Sequence, residues 1–138
     1  MTAIHTEMDI TLPSVSNATF AASVSAVQPA RALVAESLRM WGLDVHLHDA
    51  RLTMSEIFTN AVQHGEAKII HVWVVRLVRH IVIRVWDPSL KAPEKRNADD
   101  TAPTGRGLLI VEEYATGGWG VDWADDGTGK VVWARIER

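Results

Sequence analysis

Apolar residues recur at helical spacing over residues 27–41, where Ala30, Leu33, Val34, Leu38 and Trp41 share one face. Pro29 suits the first turn of that helix and Gly42 its stop. A second helical pattern runs to His64, with Met54, Ile57, Phe58, Ala61 and Val62 on its apolar side. Asp49 reads as its cap and Gly65 as its C-terminal stop. The pattern then changes. Residues 68–78 and 80–86 are rich in Val, Ile and Trp, and a tight reversal at Arg79 and His80 makes them an antiparallel hairpin. Residues 87–107 are polar and charged, with Pro88, Pro93 and Pro103, too long for an ordinary connection and of the length of a functional lid or a disordered segment. Helical spacing returns over 107–115, carrying Leu108, Leu109, Val111 and Tyr114. Residues 119–124 and 130–136 read as a closing hairpin around Asp126-Gly-Thr-Gly129, and residues 19–24 as a first strand.

This order lacks the strand–helix alternation of a doubly wound parallel sheet. It predicts an α/β two-layer sandwich, a mixed, mainly antiparallel sheet with helices on one face. Residues 1–16 are polar and unpatterned and read as a flexible N-terminal segment or partner-contacting arm, leaving 17–138 as one domain. A length of 138 residues with 47% hydrophobic content suits a single domain with a real core. Cysteine is absent, which removes disulfides and thiolate metal sites and fits a reducing cytoplasm. A net charge of −3 argues against a nucleic-acid surface. No signal pattern opens the chain and no apolar run is long enough to span a bilayer. A cytoplasmic location, with no direct nucleic-acid or membrane partner, is therefore expected. Tryptophans 41, 73, 86, 119, 123 and 133 fall at helix and strand positions and read mostly as core.

Three groups of residues carry possible chemistry. Glu56, Asn60 and His64 recur every four residues, stacking a carboxylate, an amide and an imidazole on one helix face. Asparagine is a mediocre helix former, so its place in mid-helix suggests a task other than stability. Carboxylate and amide oxygens suit Mg²⁺. The same stripe also reads as a solvated polar face, with His64 favoured at the helix C-terminus by the dipole. In the second hairpin strand, alternation puts Ile81, Ile83, Val85 and Asp87 on one side, so a carboxylate ends a core-facing row. A charge there is costly unless hydrogen-bonded. It can accept from an amino group such as the exocyclic amine of adenine, or, followed by Pro88, merely open a turn. Thr104-Gly105-Arg106-Gly107 enters a helix: glycines free the backbone N–H groups to face an anion, the helix N-terminus adds its dipole, and Arg106 adds a charge. A hinge would have the same composition. His46 and His48 share one side of an extended segment, and lacking a nearby acidic cluster they read as surface loop rather than metal site.

Taken in order, these features resemble the GHKL ATPase superfamily with its Bergerat ATP-binding fold. Leu52-Thr-Met-Ser-Glu56-Ile-Phe-Thr-Asn60-Ala-Val-Gln-His64-Gly65 is similar to its N box. Val85-Trp-Asp87-Pro-Ser89 is similar to its aspartate-bearing first glycine box, and Thr104-Gly-Arg-Gly-Leu-Leu-Ile-Val111 to its second, after the ATP lid. The narrower resemblance is to the stand-alone anti-sigma-factor serine/threonine kinases, especially the short actinobacterial ones. Ala30-Arg-Ala-Leu-Val, Leu38-Arg-Met-Trp-Gly-Leu43, Trp119-Gly-Val and Gly129-Lys-Val-Val-Trp-Ala134 carry it.

The resemblance implies ATP and Mg²⁺ as cofactors. It implies Glu56 as the catalytic base and Asn60, His64, Asp87, Ser89, Gly105, Arg106 and Gly107 as nucleotide-binding residues. Asp87 would read the adenine amine and Asn60 would hold Mg²⁺ on the phosphates. It further implies a sigma factor and a small STAS-type anti-sigma-factor antagonist as partners, and a homodimer. Ser89 stands where the broader superfamily has glycine, and Pro88 precedes it; together they would crowd the nucleotide. That departure keeps a second expectation open, a partner-sequestering module with weak or lost ATP binding. A histidine-kinase catalytic fragment would need a dimerisation helix pair that the pattern does not contain.

Overall fold

The computed structural model describes residues 14–64, 68–89 and 107–138. Five strands make one sheet: β1 Val15–Ala21, β2 Ile69–Arg76, β3 His80–Asp87, β4 Trp119–Trp123 and β5 Lys130–Glu137. Their order is β1-β2-β3-β5-β4, with every neighbouring pair antiparallel. Helices α1 Val27–Met40, α2 Leu47–His64 and α3 Gly107–Tyr114 form the second layer, α2 lying against β3 and flanked by α1 and α3. The two-layer α/β sandwich expected from the sequence is the observed fold.

The period-two rows build the core. Ile70, Val72 and Val74, then Ile81, Ile83 and Val85, then Val132, Ala134 and Ile136 all face the helices and are buried. Leu38, Met54, Ile57 and Phe58 meet them from α1 and α2. Each large side chain so buried contributes roughly 1.5–3 kcal/mol of transfer free energy. The turn after α1 is fixed by a left-handed Gly42 (φ 69°). The Leu43 N–H donates to the Leu38 carbonyl at 2.8 Å and the Gly42 N–H to that of Arg39 at 3.1 Å, closing a Schellman motif.

Four local expectations are corrected. The first strand is Val15–Ala21, before the 19–24 expected, because its helix-facing side offers only Ser16, Ala18 and Phe20 and so lacks an apolar alternation. Phe20 is anchored edge-on to Phe58 at 6.1 Å. Asp49 lies inside the first turn of α2, where a carboxylate still complements the dipole, rather than capping it. His46 and His48 belong to a 3-10 turn and to α2, not to an extended segment, and His48 stacks edge-on to Tyr114 at 5.9 Å.

The tryptophans are the fourth. Trp41 is buried and Trp119 packs against the core, but Trp73, Trp86 and Trp133 lie on the sheet face away from the helices, and Trp123 is 47% exposed. That face partly covers itself. Arg84 lies over the Trp73 ring at 5.5 Å and Arg135 over Trp133 at 4.9 Å, while Gly120 leaves the space that Trp133 fills, since a Cβ there would sit 2.5 Å from its ring. No helix among the described residues is long and apolar enough to cross a membrane.

Candidate functional site

The chemistry gathers at one end of the sandwich. β3 ends at Asp87, and the register His71↔Trp86 sets the start of β2 beside that end. Asp87 pairs with Lys130, so the start of β5 is there too, and Trp123 at the end of β4 pairs with the same lysine. Residues 65–68 connect His64 to Ile69, a reach of at most about 18 Å, which returns the C-terminal end of α2 to the same end of the sheet. Asn60 and Glu56 stand one and two turns back along the axis, about 6 and 12 Å.

Glu56 and Asn60 are both half-buried, on a face of α2 beside the stripe formed by Met54, Ile57, Phe58 and Ala61. This is not a freely solvated surface. Burial raises the Glu56 pKa above its ordinary 4.5, in the direction that makes a carboxylate a better proton acceptor near neutrality. His64 is the last residue of α2.

Asp87 is 1% exposed. Its Oδ1 accepts from the Ser89 N–H at 2.8 Å, an Asx turn across Pro88, and from Lys130 Nζ at 2.9 Å. Lys130 Nζ also donates to the Ser89 carbonyl at 3.1 Å and lies 5.9 Å from the Trp123 ring centre. Asp87 does open the expected turn, and it is a buried carboxylate at the end of a core row. Gly129 (φ 145°) fits this corner because a Cβ would clash with the Asp87 carbonyl and come within 2.8 Å of Pro88 Cα.

The structure thus brings Asp87 and Ser89 into direct contact and sets them at the end of the sheet to which the C-terminal end of α2 returns. Gly107 is the first residue of α3, which packs on α2. Gly105 and Arg106 lie outside the described residues, as do Gly65 and most of the expected lid. Sequence reading did not assign roles to Gly129 and Lys130. The signal was available: Lys130 heads the core-facing row Val132, Ala134 and Ile136 in β5, as Asp87 ends the row Ile81, Ile83 and Val85 in β3.

Residues 20–136 match the family model of the histidine kinase-like ATPase domain, a span that runs from the end of β1 through nearly all of β5. The chain belongs to that family. No characterised protein matched the sequence. Membership makes this an ATP-binding, kinase-like domain, and the corner around Asp87 is where the buried charged side chains Asp87 and Lys130 meet. The donor set fits a nucleotide: a buried acceptor for an amine, an amide oxygen one turn from a carboxylate on α2, and a helix N-terminus at Gly107. Among the described residues, no three His, Asp or Glu side chains cluster to hold an ion by themselves. A Mg²⁺ at Asn60 would take phosphate oxygens as its other ligands.

Proposed function

We propose that this ATPase domain is a serine/threonine protein kinase acting as an anti-sigma factor: it phosphorylates a small STAS-type antagonist and sequesters a sigma factor. The observation that carries the reading is the half-buried Glu56, its pKa raised by burial, one turn from Asn60 on the helix that leads to the Asp87 corner. Phosphoryl transfer asks a protein for positioning, charge neutralisation and a nearby proton acceptor. Asp87 would accept a hydrogen bond from the adenine amine and fix the nucleotide. Asn60 would hold Mg²⁺, which supplies charge neutralisation on the phosphates. Glu56 would accept the proton of a serine or threonine hydroxyl as its oxygen bonds to the γ-phosphorus and the bond to ADP breaks. The sequence resemblance supplies the sigma factor, the antagonist, the homodimer and the cytoplasmic setting.

A second reading, a partner-sequestering module that does not use ATP, is favoured by one observation: Oδ1 of Asp87 already accepts two hydrogen bonds. Calorimetry with Mg-ATP separates the two. The kinase reading expects saturable binding that is lost in Asp87→Asn. Asparagine can keep an oxygen toward Lys130 and Ser89, but then presents an NH2 group where the base amine needs an acceptor. Absence of wild-type binding would leave the sequestering module.

A further inference from the structure

Asp87 and Lys130 are opposite charges placed directly across from one another, 1% and 4% exposed, on strands whose other helix-facing residues are apolar. A buried ion pair is a poor route to stability, since apolar residues of similar volume commonly serve as well or better. The pair fixes a geometry instead. Two donors, the Ser89 N–H at 2.8 Å and Lys130 Nζ at 2.9 Å, converge on Oδ1, and among the described residues no donor reaches Oδ2. Rotating the carboxylate would break both bonds. Lys130 Nζ is itself tied to the Ser89 carbonyl at 3.1 Å, and the absence of a side chain at Gly129 lets β5 press on the Asp87–Pro88 backbone.

We infer that Lys130, seated by Gly129, is a positioning residue for base recognition: by occupying Oδ1 of Asp87 it aims Oδ2 at the bound base and so selects nucleotides that carry an exocyclic amine over those with a carbonyl there. This rests on the nucleotide-binding reading above. An ionised carboxylate only accepts hydrogen bonds, so the aimed oxygen rewards an amine and repels a carbonyl oxygen. A merely structural ion pair would support the fold without caring which base is bound.

The test is calorimetric titration of Mg-ATP and Mg-ITP, which differ in an amine against a carbonyl, into wild type, Lys130→Met and Lys130→Arg. The wild type should prefer ATP. Lys130→Met should lose that preference by about 10-fold or more, the worth of one hydrogen bond to a charged group, with ITP affinity little changed. Lys130→Arg should restore most of it. If Lys130→Met keeps the wild-type ATP-to-ITP ratio, or weakens both nucleotides equally, Lys130 is structural support and the inference is overturned. If the wild type binds neither nucleotide, the nucleotide reading itself has failed. Should Lys130→Met not fold, Lys130→Leu, which likewise removes the donor, gives the same comparison, and an unchanged ratio there is equally fatal.

Discussion

Glu56 is a carboxylate that the fold half-buries at a cost. Desolvation raises its pKa above 4.5, so the folded state binds its proton more readily than the unfolded chain does. Linkage then fixes the sign: stability from this group is fullest below pH 4.5 and falls as pH rises through the raised folded-state value, because the native protein must then carry a half-buried charge. Glu56→Gln should accordingly be more stable than wild type at pH 8, with the gap closing toward acid pH. Urea midpoints at several pH values measure this, and a gap that widened in acid would refute the desolvation argument. The cost has a functional return if Glu56 is the base. Phosphoryl transfer should rise with pH along a limb centred above 4.5, and Glu56→Ala should bind Mg-ATP normally while losing about 100-fold or more in transfer rate.

Between residues and the whole lie the turns that set each element's end, and two glycines there should behave differently when replaced. At Gly42 (φ 69°) a Cβ would meet nothing within 4 Å, so Gly42→Ala carries only the left-handed backbone cost of roughly 1–2 kcal/mol. It should lower the denaturation midpoint and leave ATP affinity alone. At Gly129 a Cβ would strike the Asp87–Pro88 backbone, so Gly129→Ala should displace β5 from Asp87 and weaken ATP binding as well as stability, read by calorimetry on folded protein. Gly42 was legible in the sequence because a Schellman stop follows directly on the periodic residues of its own helix. So were α2, with its three polar residues at four-residue spacing, and Asp87 at the end of an aliphatic row. What stayed hidden depends on partners distant in the chain. Lys130 stands visibly at the head of an aliphatic row, but its partner is identified only when β5 pairs with β3, forty-three positions away. The outward tryptophans look like core residues until alternation is combined with knowledge of which face the helices cover. β1 owes its place to the pairing of Val15 with Val75 and its neighbours rather than to its own weak apolar pattern.

At the level of the whole molecule, the helices cover one sheet face and the proposed site lies where that layer meets one end of the sheet. The proposed ligand would touch both layers: the α2 face bearing Glu56 and Asn60, and the corner built by the end of β3 and the start of β5. Nucleotide bound this way favours the folded state over the unfolded chain across the whole two-layer structure, by mass action. At a free concentration 100 times the dissociation constant the gain is about 2.7 kcal/mol. For a domain of 138 residues that corresponds to a rise in Tm on the order of 10 °C. Thermal unfolding of the wild type in Mg-ATP should show a shift of that size. Asp87→Asn should show little or none, and its own Tm without nucleotide should fall, because the buried Lys130 ammonium loses its counter-charge even where the asparagine oxygen still accepts from Lys130 and Ser89. An equal shift in both proteins would mean that ATP is held without Asp87 and that the acceptor role assigned to that corner is wrong. No shift in the wild type at concentrations that saturate related ATPase domains would leave the sequestering module as the reading, with a protein partner rather than a nucleotide as the ligand that stabilises this fold.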